Sequence, residues 1–393
     1  MLFTDLKPAE YERRLETIQR LMTEQKLDAL FLCNEASFRY FTGHISLRWM
    51  NTLMPLSAVV PRKGKPSVMM SAAEVAIAEH NPAIGRGYAV TGDQRIGVPQ
   101  MKQALLDLGV SAGRVGGEFD SNTRMLMPLH DFQALQSKLP SVEWVDASDL
   151  IWQLRQCKSS AELAYMRKAV KITDAGYAAI FATACPGMTE RDIHDTMLAT
   201  VMQLGADRPG FIPVGSRSPG DAHAFDIGQR IATDRIVQEG DLVQMDAGAV
   251  VHGYWSDFSR IFCVGRADER WQEEYRLLHT SLRDCIAACR PGLPIRELVV
   301  PHLKNLSDSP YAADAERFRN GGRIGHAIGL DLIEPPFLHL ENNAVLQPGM
   351  VLTIEPSLIF GDDYMMIEED VLITADGYEV LSQPSAPELP ELR

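Results

Sequence analysis

Five residues have the types and settings to do chemistry: Asp246, Asp257, His326, Glu355 and Glu368. His326 lies between Ile324 and Ile328, Glu355 ends the run VLTIE, and Glu368 stands just ahead of VLIT. Apolar runs rich in Val, Ile and Leu read as buried strands. A carboxylate buried there is costly unless it meets a cation, so two of them beside a histidine point to metal. Upstream, in EGDLVQMDAGAVVHGYWSDFSRIFCVG, Asp246 and Asp257 are eleven residues apart on either side of a Gly-containing stretch. Strands over 243–246 and 256–263, paired as a hairpin, turn both aspartates toward one side. An oxygen-rich set with one imidazole suits Mn, Co, Fe or Zn better than copper or an iron–sulfur cluster. Five ligands, four of them carboxylates able to bridge, exceed the needs of one tetrahedral ion. The competing reading is a satisfied polar core, and the rarity of buried acids without partners speaks against it.

The elements that must position these residues follow from the rest of the chain. Its 393 residues are 46% hydrophobic and 23% charged, enough for two or three domains with substantial cores. The net charge of −14 argues against a nucleic-acid footprint. The start lacks the apolar core of a secretory signal, and no apolar run is long enough to span a bilayer. Six scattered cysteines (Cys33, Cys157, Cys185, Cys263, Cys285, Cys289) read as reduced thiols of a cytoplasmic protein, with Cys285 and Cys289 as ordinary helix-face residues. Residues 1–155 alternate helical and strand patterns and predict an α/β domain. Within it, MKQALLDLG and MLMPLHDFQALQSKL read as helices, and the aromatics of NEASFRYFTGH as core or rim. Ser159-Ser160 with Glu162 announces a long helix opening a second domain, 156–393. Another helix begins at Thr189 and carries a solvated or capping His194; further helices are expected over 268–289 and 294–305. The stretch 210–235 has no clear periodicity and reads as loop or short strands, with His223, on pattern alone, an exposed loop histidine.

The local texts DAG, SDFSR, GHAIGLDLIEPP, TIEP and IEEDVLIT, in this order, resemble the pita-bread metallopeptidase superfamily of methionine aminopeptidase, aminopeptidase P, prolidase and creatinase. The resemblance extends over nearly the whole chain, since residues 1–155 are similar to the creatinase-type N-terminal domain. It implies an α/β N-terminal domain followed by an α+β pita-bread catalytic domain. It also implies two divalent metal ions, manganese first and cobalt, zinc or iron after it, held by Asp246, Asp257, His326, Glu355 and Glu368. Asp257 and Glu368 then bridge the ions, Asp246 completes one, and His326 and Glu355 the other. The reaction implied is hydrolysis of a C–N bond in a small peptide or amide, with a bridging hydroxide attacking the carbonyl and Glu355 passing its proton to the leaving nitrogen. His223 matches the histidine that faces the substrate carbonyl in prolidase and aminopeptidase P. A homodimer is expected.

Two positions depart from the pattern of relatives. Seven residues after His326, where the superfamily text GHxxGxxxHEPP has a second histidine, stands Ile333. Where RIED carries an arginine stands Met366. The pocket is therefore expected to be more apolar, with Arg217, Arg323 or Arg48 as substitutes for the missing cation. The alternatives are a creatinase-like or ectoine-hydrolase-like hydrolase of small amides or amidines, and a lyase or non-catalytic binding protein on the same fold. Intact Asp246 and Asp257 disfavour the metal-free branch. GGRIG lacks the spacing and following helix of a dinucleotide fingerprint, and GSRSPG is not a nucleophile elbow.

Overall fold

The computed structural model describes residues 6–51, 56–90, 97–221, 231–360 and 363–393. The chain divides into two compact units, Met1–Arg155 and Gln156–Arg393.

The first unit is a six-stranded sheet in the order Arg86–Val90, Ser67–Ser71, Ser57–Pro61, Ala29–Leu32, Gly113–Gly117, Val142–Asp146. Ala29–Leu32 is central and wholly buried, pairing antiparallel with Ser57–Pro61 and parallel with Gly113–Gly117. A strand covered on both faces has no alternation to show, which is why DALFLC reads as a continuous apolar run. The helix Glu35–Thr42 starts on an Asn34 cap and stops at Gly43, whose φ of 66° suits glycine. It carries Phe38, Tyr40 and Phe41 into the core. The helix expected from MLMPLHDFQALQSKL begins only at Leu129, because Pro128 stands at the N-cap and the residue before a proline is driven out of the helical region.

The second unit opens with two capped helices. Ser159 and Glu162 form a reciprocal capping box at the head of Ser160–Thr183, and Thr189 with Asp192 forms another before Glu190–Gln203. These pack on a four-stranded sheet in the order Glu391–Leu392, Phe258–Val264, Leu242–Ala247, Val214–Arg217. Two more helices follow: Glu269–Ala288, capped by Asp268, and Val300–Ser307. The single helix expected over 294–305 is instead a 3₁₀ turn, Ile295–Leu298, and then a fresh α-helix. Pro301 in its first turn has no N–H to continue the preceding ladder. This half packs on a five-stranded sheet, in the order Glu334–Phe337, Gly325–Ala327, Val351–Ile354, Glu369–Ile373, Tyr378–Val380. Cys285 and Cys289 are buried in its core, and burial raises both thiols, so they are packing residues of a helix face.

Each half of this unit lays helices on a mainly antiparallel sheet, Glu391–Leu392 pairing parallel with Phe258–Val264, and the two sheets meet along Phe258–Val264 and Glu369–Ile373. Arg260 joins them, donating from Nη1 to the Glu368 carbonyl (2.7 Å) and from Nη2 to the Glu369 carboxylate (2.9 Å). Among the described residues, no helix is long and apolar enough to cross a membrane.

Candidate metal centre

The hairpin register decides where the aspartates point. Asp246 pairs with Ser259, and Asp257 lies two residues before Ser259. Side chains alternate along a strand, so both carboxylates stand on one face. The chain between them doubles back tightly: a Cβ on Gly248 would lie 1.9 Å from the Ser256 carbonyl oxygen, so a side chain there is excluded. Below the hairpin, the Tyr177 hydroxyl bonds the carbonyls of Met245 (3.0 Å) and Phe258 (2.8 Å). Ser256 Oγ lies 2.9 Å from Thr173 Oγ1 and accepts from the Ala249 N–H. Both strands are thereby fixed to the first helix of the unit.

The second sheet supplies the rest by the same arithmetic. His326 pairs with Thr353, and Ile354 with Glu369. Glu355 therefore stands opposite Glu368, and both share the face of His326 and Thr353. A Cβ on Gly325, whose φ is +146°, would meet the Thr353 carbonyl at 2.0 Å, so only glycine lets the strand carry His326 this close. Across the two sheets, Asp257, His326 and Glu368 each offer a ligand atom within 4.8 Å of the others. His326 Nε2 is 3.8 Å from Asp257 Oδ2 and 3.9 Å from Glu355 Oε1.

His326 Nδ1 lies 2.9 Å from the Ala327 carbonyl, an oxygen that can only accept. This holds the proton on Nδ1 and turns the Nε2 lone pair into the cluster, the tautomer a metal ligand needs. Burial lowers the imidazole pKa to about 4, which keeps that lone pair available. The carboxyls move the other way. Burial raises Asp246 to about 6 and Glu355 to about 7, the second held back by Arg323 and pushed by Asp246. Asp257 and Glu368 are raised well above the carboxylate range by burial first, and then by acidic neighbours: Asp246, Asp370 and Glu355 act on Asp257, and Asp257, Asp246, Glu355 and Asp370 on Glu368. Asp246 Oδ1, Asp257 Oδ1 and both Glu368 oxygens are buried without a hydrogen-bond partner. Acceptors with no donor, repelling one another around an aimed imidazole, fit a cationic group that would satisfy all of them together.

All five residues singled out as ligands thus converge, whereas His223 lies outside the described residues. Of the arginines considered as substitutes, Arg323 stands with Nε 3.9 Å from Glu355 Oε1. Arg217 is buried with its guanidinium 5.5 Å from the centre of the Trp271 ring, and Arg48 pairs with Glu74 at 2.8 Å in the N-terminal unit. Met366 is buried, but the Ile333 side chain is turned outward and 43% exposed, so the apolar replacement at that position is largely spent on solvent. Sequence reasoning missed Asp370. Two residues after Glu368 it takes the same face, its carboxylate accepts from the Asp257 N–H at 3.1 Å, and burial raises its pKa strongly. The acidic run EED was visible in the sequence, but which of its acids turn inward is set by pairing with Val351–Ile354.

Comparison with known proteins agrees with this architecture. The Creatinase/Prolidase N-terminal domain matches residues 14–157 and Metallopeptidase family M24 matches 164–375. Probable dipeptidase PepE of Mycobacterium bovis is 29% identical over 376 residues, 93% of this chain and 93% of its own. Xaa-Pro dipeptidase of Pyrococcus horikoshii is 28% identical over 261 residues, 65% of this chain and 71% of its own. The crystal structure of dipeptidase PepE from Mycobacterium ulcerans superposes with a TM-score of 0.81 at 26% identity, covering 98% of this chain and 99% of that one. With the M24 match spanning more than half its length, on a creatinase-type N-terminal domain and a pita-bread catalytic domain, the chain belongs to metallopeptidase family M24 and is a hydrolase.

Proposed function

We propose that this protein is a dinuclear metal-dependent peptidase that cleaves the C–N bond preceding proline or a similar residue in a small peptide or amide. The single observation that supports this most is the cluster in which Asp246, Asp257 and Glu368 are buried with carboxylate oxygens that lack partners, beside the His326 imidazole. Asp246, Asp257, His326, Glu355 and Glu368 would hold two divalent ions, manganese the favoured pair. When bound, the ions supply a water of lowered pKa and polarise the scissile carbonyl. Glu355, the most exposed of the set at 16%, takes the proton of the attacking water on a carboxylate oxygen and delivers it to the leaving nitrogen. Its pKa of about 7 before metal arrives reflects a site whose charge balance is completed by cations. The task of orienting the carbonyl oxygen, by donating a hydrogen bond to it, is assigned to His223. Asp370 holds the Asp257 main chain, fixing that carboxylate from behind.

The names of relatives support the peptide substrate: a dipeptidase and an Xaa-Pro dipeptidase are among them. The protein works in the cytoplasm as a homodimer, its chain divided at residue 155 into an N-terminal domain and the catalytic domain. The deciding experiment is elemental analysis after incubation with manganese and desalting, followed by an assay on Xaa-Pro dipeptides and their amides. About two ions per chain, lost together with hydrolysis in Asp257→Ala, is the expected result. A protein that retains no metal, or an Asp257→Ala variant that stays active, overturns the assignment.

A further inference from the structure

The ribbon that carries Glu355 and Glu368 continues past them in the same register. Ile354 pairs with Glu369, and beyond the cluster Ser357 pairs with Met366 and Ile359 with Tyr364. Alternation puts Thr353/Asp370, Glu355/Glu368, Ser357/Met366 and Ile359/Tyr364 on one face in that order. This face runs from the buried carboxylates to the surface: Met366 is buried, Tyr364 half-buried, and Ile359 39% exposed. It is a wall leading outward from the cluster, and its chemistry changes abruptly from carboxylate to thioether, branched alkyl and phenol groups.

Two details define what the wall can receive. The Tyr364 hydroxyl rests 3.1 Å from Met366 Sδ and also meets the Ser357 side chain, which can donate to it. A thioether is a weak acceptor, so a carbonyl oxygen arriving beside it takes that hydroxyl readily. Ser357, the other polar group on the wall, accepts from Arg317 Nη2 at 3.2 Å, and Arg317 is itself paired with Asp314. That cation is thus turned to its own carboxylate beside the wall, and Arg323, with Nε 3.9 Å from Glu355 Oε1, is directed at Glu355.

We propose that Met366 and Tyr364 determine specificity by holding the leaving portion of the substrate, and that they select a portion that is electrically neutral there, a peptide amide over a free dipeptide acid. This rests on the peptidase reading above, because Glu355, which protonates the leaving nitrogen, stands on this same ladder and so directs the leaving portion along it. A free carboxylate held against Met366 exchanges its hydration for a thioether. An amide carbonyl meets the Tyr364 hydroxyl without that penalty.

The test compares Ala-Pro with Ala-prolinamide on the manganese-loaded protein, and repeats the pair by calorimetric titration of metal-free protein, where no turnover intervenes. The amide is favoured in kcat/KM and in binding by at least about tenfold, the scale of one uncompensated buried charge. M366R places a cation on the wall and brings the ratio to unity or inverts it. I359R, at an exposed position that tolerates the change, moves the ratio the same way and decides the matter if M366R does not fold. Y364F raises KM for the amide while leaving the acid unchanged. Equal or better use of the acid by the native protein, with a ratio that neither arginine shifts, overturns the proposal. Hydrolysis of neither compound by metal-loaded protein counts against the peptidase reading, and the calorimetric ratio then decides the wall by itself.

Discussion

Glu368 and Glu369 are consecutive, both buried, and they live in opposite chemical worlds. Glu369 points away from the cluster and is surrounded by donors: Arg260 Nη2 at 2.9 Å, the Ser385 N–H at 2.7 Å, Ser385 Oγ at 2.6 Å, and the Ser382 hydroxyl. Glu368 points into it, has no partner on either oxygen, and faces Asp257, Asp246 and Glu355. The two faces of one strand therefore separate a carboxylate that stabilises the fold from one that waits for something else. Burial alone does not distinguish them, and the partner inventory does. Glu334 belongs with Glu369: its side chain and that of Lys158 are 1% exposed and paired at 3.1 Å, and it also accepts the N–H groups of Leu330 and Asp331.

The comparison is tested most severely on the inner face. Glu368→Gln lowers kcat/KM by more than about 100-fold, beyond the loss typical of an outer-shell partner, because it removes an expected ligand outright. Yet the same change relieves repulsion, so the metal-free variant melts higher than the metal-free native protein. Differential scanning fluorimetry with and without manganese reads both effects. A variant that melts lower without metal shows that Glu368 is satisfied in a way its surroundings do not reveal.

On the outer face the sign reverses. Arg260→Met leaves the Glu369 carboxylate buried without its cation and removes the donor to the Glu368 carbonyl, a cost of about 3–5 kcal/mol. Urea denaturation measures it. A loss under about 1 kcal/mol means that Ser382 and Ser385 suffice and that the ion pair joining the two sheets is dispensable.

These two faces also mark what the sequence could convey. The candidate residues His326, Glu355 and Glu368 were legible because each breaks an apolar run, and the helix starts at Ser159 and Thr189 because capping boxes are local. The facing of Asp246 and Asp257 followed from hairpin pairing and period-two alternation. Asp370 escaped notice because, inside EED, nothing local tells which acid turns inward; register does, and register is settled by partner strands far along the chain. Met366 could be named as a departure, but its contact with Tyr364 depends on the ribbon continuing beyond Glu355. Ile333 was expected to line the pocket, and its exposure follows from the loop that Glu334 pins on Lys158.

The pH dependence sharpens the contrast more gently. Asp246 and Glu355, raised to about 6 and about 7, take up protons on folding, so their contribution is fully present below the unfolded carboxylate range and is lost as pH rises through 6 to 7. His326, lowered to about 4, acts oppositely, its contribution being lost as pH falls from its unfolded value toward 4. Carboxyls outnumber the imidazole, so metal-free protein melts higher near pH 5 than near pH 8. Manganese binds the deprotonated set and removes this slope or reverses it. Melting curves of stripped and loaded protein across that range provide the check; a stripped protein most stable at the alkaline end contradicts the picture of carboxyls without partners.

The smallest effect asks whether the two faces are independent. Ser385→Ala removes one hydroxyl donor from Glu369 and leaves the Ser385 N–H, Ser382 and Arg260 in place, so about 0.5–1.5 kcal/mol of stability is lost. Glu369 is linked to the cluster by the strand it shares with Glu368 and by Arg260, which Ser385→Ala leaves in place, and a strand held by pairing on both sides to Val351–Ile354 and Tyr378–Val380 transmits little of a small change on one face. The kcat/KM of Ser385→Ala therefore stays within about threefold of native, at most about 0.7 kcal/mol of barrier. A larger fall, with metal content unchanged, means that the donors around Glu369 set the backbone position of Glu368, and that the outer face positions the ligand as well as stabilising the fold.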